Sequence, residues 1–376
     1  MDTPLEKAVA TRFFRNGKIE SLKRLGNGLV NDTFLVETTS GDIPRFVLQR
    51  INREVFPSPL DIMSNLEVLS RHLETTSEVG VETETLEKRG APSLYRTADG
   101  KTFHVDDSGH YWRALTYVED SMTLDRLESV ADAEQVGLAL GNFHSRVSDL
   151  ETGLMRDTLP GFHVTPEYLC CYDRIVKFSS PDRFTLASAD VRFCRDHIES
   201  RRAGAAVLEK ARSDGLLAEQ VIHGDPKLNN ILFHRKDRKA LAMIDLDTVK
   251  PGLVLYDIGD CLRSCCNNAG ESGLGSSGVR FDLDIAEAIL TRYFEKFRSC
   301  LGESEIDYLY DAIFLLPFEL GLRFFSDYLQ DNRYFKVQSP DQNLARAVVQ
   351  FNLAMSVEKQ KKSIHRLIRK LTSPVG

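Results

Sequence analysis

Residues 231–247 set the apolar run "ILF", the charged turn "HRKDRK" and a second apolar run, "LAMIDLD", in close succession. That order predicts a β-hairpin turning near residues 237 and 238. Residues opposite one another on antiparallel strands have a constant index sum, and Asn230 and Asp245 share the sum set by that turn. Their side chains are expected side by side at the open end of the hairpin. Asp225 lies five residues upstream, in the loop "HGDPKLNNIL" that enters the same end.

An amide and a carboxylate brought together in this way suit Mg²⁺, a hard cation that takes few protein ligands and leaves positions for phosphates. Asn230 and Asp245 are the expected metal ligands, and Asp225 is left to accept a proton. Phosphoryl transfer needs these parts, a metal to neutralise phosphate charge and a base to orient a hydroxyl. A plain charged hairpin end would require three such residues to coincide without purpose. The spacing of His223, Asp225 and Asn230 is also that of the protein-kinase catalytic loop. Lys227 stands where it can reach a transferring phosphate, although a solvated loop lysine would look the same. "DLD" replaces DFG and no APE follows, so a protein kinase in the strict sense is excluded.

Upstream, "IESLKRLG", "TFLVETT", "RFVLQRI" and "YWRALTYV" have the β-branched and aromatic content of strands. Between them "PLDIMSNLEVLSRHLE" opens on Pro and repeats apolar residues at helical spacing. The turn "LGNGLVND" offers Gly26, Asn27, Gly28 and Asn31 to cover phosphates, since glycines let backbone N–H groups approach closely. Gln49 occupies the third-strand position where a kinase would carry Lys, and it can hydrogen-bond a phosphate but not neutralise it. Glu67, the natural partner of such a Lys, is then either idle or a helix-surface acid. "LTYVED" reads as a hinge whose backbone near Tyr117, Val118 and Glu119 is available to adenine. Beyond it the pattern turns helical, beginning with "DAEQVGLALGNFHSRV" and continuing over roughly 190–213, 283–299, 303–318 and 341–371. "NNAGESGLGSSG" (267–278) is a loop. The expected division is a nucleotide-covering lobe, 1–118, and a catalytic and substrate-binding lobe, 119–376.

The balance of 42% hydrophobic and 27% charged residues over 376 positions is that of a globular protein. A net charge of −7 gives no reason to expect nucleic acid or an anionic membrane as partner. The seven cysteines include no CxxC pair, and reduced thiols are expected. The N-terminus lacks the apolar core of a signal peptide, and "IFLLPFELGLRFF" is short and broken by Glu319 and Arg323. A cytoplasmic protein is expected, with its oligomeric state open.

"HGDPKLNNIL", "MIDLDTVKPG" and "YDIGDCLR" together resemble the aminoglycoside phosphotransferase/choline kinase-like superfamily. Within it, the chain is most similar to N-acetylhexosamine 1-kinases, through "GNGLVNDTFLV", "FVLQRIN", "VFPSP" and "GLRFFSDYLQDNRYF". The resemblance implies an α+β, bilobal protein kinase-like fold with a small antiparallel-sheet N-lobe and a larger, mainly helical C-lobe. It implies ATP- and Mg²⁺-dependent phosphorylation of the anomeric hydroxyl of a GlcNAc- or GalNAc-type sugar. In that reading Asp225 is the base, Asn230 and Asp245 hold Mg²⁺, and Thr248, Arg323 and Tyr334 contact the sugar, with Asp247 a further candidate. Gln for Lys on the third strand is shared by that branch.

Two alternatives stand beside this one. The acceptor could instead be choline, homoserine or an aminoglycoside, or the chain could be a nucleotide-binding pseudokinase. Arg323 in an apolar segment calls for a partner, either the substrate or a structural ion pair with Asp327 or Asp260; Tyr334 could be an ordinary surface aromatic. His144 is expected to be a packed helix residue, His223 to hold the loop by hydrogen bonding, and the basic C-terminal helix to be a solvated face.

Overall fold

Alternation in the first strands sorts their side chains to two faces. In a computed structural model, which describes residues 4–14, 16–25, 30–39, 43–75, 90–178, 188–270 and 278–373, β1 (Lys18–Arg24), β2 (Asp32–Thr39), β3 (Arg45–Arg50), β4 (His104–Val105) and β5 (Tyr111–Thr116) form an antiparallel sheet in the order β1-β2-β3-β5-β4. Leu22, Phe34, Val36, Phe46, Leu48, Trp112 and Ala114 point to one face and bury against Val9 and Ala10 of a short N-terminal helix, Pro4–Ala10, and Phe13 just after it. Each large side chain buried there contributes about 1.5–3 kcal/mol. Thr33, Gln49 and Arg113 are paired across β2, β3 and β5 and share the other face. The expected turn residues Gly26, Asn27 and Gly28 lie outside the described residues, as do residues 271–277 of the expected loop.

Two compact units are present. One comprises Met1–Met122, Asp149–Pro160 and Leu232–Pro251; the other comprises Thr123–Ser148, Gly161–Ile231 and Gly252–Gly376. The first also contains the helix Pro59–Thr75 and the expected hairpin. After β6 (Ser121–Met122) and β7 (Gln220–Ile222) come β8 (Ile231–His234) and β9 (Ala240–Met243), ordered β6-β8-β9 in one sheet. The His234 N–H donates to the Lys239 carbonyl, closing the turn. A last short strand, β10 (Lys250–Gly252), follows.

The second unit is helical. Its helix Val130–Val147 starts from a capping box in which Ser129 and Asp132 exchange side-chain and backbone hydrogen bonds. That helix meets Leu283–Phe297 closely at Gly137, where a Cβ would lie 2.2 Å from the Ile289 carbonyl oxygen. Gly137→Ala is therefore expected to cost roughly 1–3 kcal/mol by overpacking and to lower the thermal midpoint by several degrees, read by circular dichroism; an unchanged midpoint would contradict the close approach.

Three helical features depart from the expected pattern. Thr165–Phe178 and Val254–Cys265 are helices not anticipated from the sequence, and "YDIGDCLR" lies on the latter. The segment expected to end near 318 runs from Leu309 through Pro317 to Leu329. An interior proline costs a helix about 3 kcal/mol, but packing of this almost wholly buried helix against Val254–Cys265 and Gln342–Lys359 outweighs it. The continuation places Glu319 and Arg323 one turn apart on a single helix. The long C-terminal pattern breaks into Gln342–Lys359 and Lys361–Thr372. All seven cysteines are free thiols, and no described helix is long and apolar enough to cross a membrane.

Candidate active site

In the helical unit, the loop 223–230 is folded around its own polar groups. The Asp225 carboxylate Oδ2 accepts from Lys227 Nζ at 2.5 Å and from Asn230 Nδ2 at 3.1 Å, and that same amide nitrogen reaches the Asp225 carbonyl at 2.8 Å. Asn230 thus uses its nitrogen on Asp225, which leaves its Oδ1 as the atom able to take a metal. The Asp225 N–H donates to His223 Nδ1 at 3.3 Å, so His223 holds the loop by hydrogen bonding. Gly224, with φ 84°, adopts a left-handed conformation that suits glycine.

Asp257, on the helix Val254–Cys265, anchors this loop from below. Its carboxylate accepts the His223 N–H at 2.7 Å, the Gly224 N–H at 2.8 Å and a bond from His144 Nε2 at 2.8 Å. The other nitrogen of His144 meets the Tyr293 hydroxyl at 2.9 Å. His144 is therefore packed, as expected, but it also braces the loop. Nearby, Asp260 pairs with Arg263 at 2.6 Å. Burial works against the Asp260 charge, yet Arg263, His163 and Lys227 outweigh it and hold its carboxyl below the usual range.

Arg323 makes neither of the ion pairs considered for it. Asp260 is taken by Arg263, and Asp327 accepts the N–H groups of Tyr334 and Phe335 and the Asn343 amide. Instead the Arg323 guanidinium lies over three rings, 5.0 Å from Phe162, 5.1 Å from Tyr168 and 5.5 Å from Phe335. Among the described residues it has no hydrogen bond or ion pair. Burial opposes its charge, but the fields of Tyr168, Glu319, Tyr334 and Asp225 prevail and raise its pKa. Tyr334 beside it is 54% exposed, its ring edge-on to Phe335.

The sheet unit carries a second group. Gln49 uses both polar atoms within the sheet, Nε2 donating to Thr33 Oγ1 at 3.1 Å and Oε1 accepting from Arg113 Nε and Nη2 at 2.9 and 2.7 Å. Arg113, 1% exposed, also pairs with Asp247 at 2.5 Å. A cation from β5 therefore stands beside Gln49 on the same face, its charge taken up by Asp247, a neighbour no single-strand reading could find. Asn31 donates to the other Asp247 oxygen at 2.6 Å, and Thr158 donates to the Asp247 carbonyl at 2.6 Å. Asp247, considered as a sugar contact, is therefore buried in an ion pair; Thr248 beside it is also buried. Asp245 sits two residues after β9 at φ 63°, ψ 56°. A non-glycine residue held there is a strained position of the kind found at functional sites.

Glu67 accepts from Thr102 at 2.7 Å and lies 3.9 Å from Arg96, the environment of a helix-surface acid. The buried polar residue of its helix is Asn65, which bonds the backbone of Arg156 and the Val249 carbonyl and so pins the chain after Asp247. At the expected hinge, the Val118 carbonyl accepts from Ser121 and the Glu119 carboxylate pairs with Arg45. Among the described residues no group of three or more His, Cys, Asp and Glu could hold a metal unaided. The Asn230 amide oxygen and the Asp245 carboxylate are each a hard oxygen donor of the kind Mg²⁺ takes.

Residues 21–289 match the phosphotransferase enzyme family (APH). The chain belongs to this family. It is a small-molecule phosphotransferase. Solved structures similar to it over nearly its whole length include a microcompartment-associated aminopropanol kinase, 19% identical, with 97% of this chain and 99% of that chain covered at a TM-score of 0.62. An aminoglycoside phosphotransferase from Alicyclobacillus acidocaldarius is 15% identical, with 97% and 98% covered at a TM-score of 0.67. A choline kinase from Cryptosporidium parvum is 14% identical, with 99% of both chains covered at a TM-score of 0.57. The antiparallel sheet followed by helices is the α+β, kinase-like fold expected from the sequence.

Proposed function

We propose that the chain transfers the γ-phosphoryl group of ATP to the anomeric hydroxyl of an N-acetylhexosamine of the GlcNAc or GalNAc type, giving the sugar 1-phosphate and ADP. The observation that carries this reading is Arg323, a cation held over three rings without a hydrogen-bond or ion-pair partner among the described residues. It is electrostatically coupled to Asp225 and so belongs to the surroundings of the base. An ammonium acceptor would meet a like charge there, whereas hydroxyl and amide oxygens would meet five unused N–H donors. The similar structures include kinases named for aminopropanol and choline, alcohols that carry a cationic nitrogen; the arginine among the three rings is the feature that speaks against such acceptors here.

In this reading Asp225 takes the proton of the anomeric hydroxyl as its oxygen attacks the γ-phosphorus, and the bond to the ADP oxygen breaks. An anomeric hydroxyl is more acidic than an ordinary alcohol, so a carboxylate suffices as base. Lys227, now on Asp225, is within reach of a transferring phosphate. Asn230 and Asp245 would hold Mg²⁺, which neutralises phosphate charge. Asn31 and the backbone of Tyr117 to Glu119 would contact the nucleotide. Tyr334 and Thr248 would complete the sugar contacts.

The test is an ATP-consumption screen over free hexoses, N-acetylhexosamines, choline, aminopropanol, homoserine and aminoglycosides, with phosphate position read from phosphorus coupling to the anomeric proton. Turnover of an amino alcohol with none on any sugar would refute the reading. Arg323→Leu should raise the sugar KM by roughly 10- to 100-fold, the value of a charged hydrogen bond, with the KM for ATP little changed. An unchanged sugar KM would remove Arg323 from the acceptor site.

A further inference from the structure

His163 lies outside every role described so far. It is 3% exposed, and its backbone is held at φ 68° in the left-handed region, which costs a non-glycine residue of order 1–3 kcal/mol. Its ring is clamped at both nitrogens. Nδ1 is 3.0 Å from Glu319 Oε1, and Nε2 is 2.8 Å from the Gly224 carbonyl oxygen. A neutral imidazole has one N–H and one lone pair. Here both partners are acceptors, a carboxylate and a carbonyl, so both ring nitrogens must donate. The one alternative puts the proton on Glu319 Oε1, with Oε2 still accepting from the Thr165 hydroxyl at 2.7 Å, but the Gly224 carbonyl at Nε2 and the Asp260 carboxylate favour the proton on the ring. That balance makes the pair an imidazolium and a carboxylate, both buried.

Gly224 is the residue immediately before Asp225. Its N–H is held by Asp257 at 2.8 Å and its carbonyl by His163, so two buried histidine–carboxylate pairs grip one glycine from its two backbone groups. We propose that His163 is a positioning residue whose second proton fixes the Gly224–Asp225 peptide and thereby aims the base. Its kinetic consequence rests on the reading of Asp225 given above; its charge state does not.

The groups around the ring agree with this charge. The helix Leu309–Leu329 presents Glu319, with Arg323 one turn on. The helix Val254–Cys265 presents Asp260, which is shared with Arg263 and Lys227, and the Tyr256 ring, stacked at 5.4 Å. Burial disfavours the imidazolium, but Glu319, Asp260 and the Gly224 carbonyl together raise the His163 pKa above the ordinary imidazole value. The sign follows from the raised folded value. The clamp is fully present below the unfolded pKa and is lost as pH rises through the folded one.

Histidine-selective nitrogen-15 NMR of the full chain, from about pH 5.5 to 9.5, tests the charge without substrate. One imidazolium, with both nitrogens protonated, should titrate above the ordinary imidazole range, vanish in His163→Gln, and titrate lower in Glu319→Gln. A His163 midpoint at or below the ordinary imidazole range, or one unmoved by Glu319→Gln, overturns the proposal. Should His163→Gln fail to fold, the Glu319→Gln shift assigns the signal. In kinetics, kcat of the wild type should fall on the alkaline side. His163→Gln should abolish that limb and lower kcat by roughly 10- to 100-fold, with the KM for ATP unchanged. Retention of the wild-type alkaline limb in that variant also overturns it. The NMR arm separates the two failures, since it is decided even if no sugar is turned over.

Discussion

Asp225→Asn should lower kcat by about 10³-fold, the value of a positioned base, while leaving the dissociation constant for nucleotide nearly unchanged. The side chain is isosteric, so the loop should keep its shape, and Asn230 can still bond the Asp225 carbonyl. What is lost is the capacity to accept a proton and the charge that draws Lys227 to within 2.5 Å. Steady-state kinetics combined with titration of a fluorescent ATP analogue separates the two effects. Unchanged kcat would remove Asp225 as base, and loss of nucleotide binding in step with kcat would assign it to the phosphates instead.

Arg113→Met should destabilise the chain by about 3–5 kcal/mol, the cost of stranding a buried charge. Arg113 and Asp247 are each 1% exposed, and the guanidinium also anchors Gln49. Removing it leaves the Asp247 carboxylate with the Asn31 amide against its full charge. The double variant Arg113→Met/Asp247→Leu should recover much of the loss, because an apolar pair of similar volume often replaces a buried ion pair at little cost. Urea unfolding of the four proteins gives the coupling. Additive losses would show that the two side chains do not act as a pair.

Much of the fold was legible because its signals are local. The β2, β3 and β5 runs alternate over a few residues, and the hairpin carries its own turn, so both are present. The turn, however, closes His234 on Lys239 with Arg238 inserted at φ 57°, which is not the register expected to set Asn230 opposite Asp245. The helix expected to end near 318 runs on to Leu329, because burial of the whole segment, Pro317 included, is a tertiary gain that no window of residues contains. Val254–Cys265 is legible in the sequence only as the motif "YDIGDCLR"; it is buried on nearly all sides, Asp257, Asp260 and Arg263 included, and its two carboxylates meet partners from elsewhere in the fold. The expected ion pairs of Arg323 failed for a similar reason, since Asp260 and Asp327 were already engaged by partners chosen in three dimensions.

The sequence by itself determined the reaction class. Catalytic spacing such as Asp225 to Asn230 lies within one loop, and the order of apolar and charged runs sets a hairpin with Asp245 just beyond it. Tertiary structure alone decided which groups hold those residues in place. Gln49 is bonded by Arg113, 64 residues away, and Gly224 is gripped by Asp257 and His163, 33 and 61 residues away. Hydrogen bonds and ion pairs of buried groups are satisfied by whatever packing brings near, and Arg323, kept instead over three ring faces, is likewise placed by packing. Their identity therefore follows from the packed fold and not from spacing along the chain.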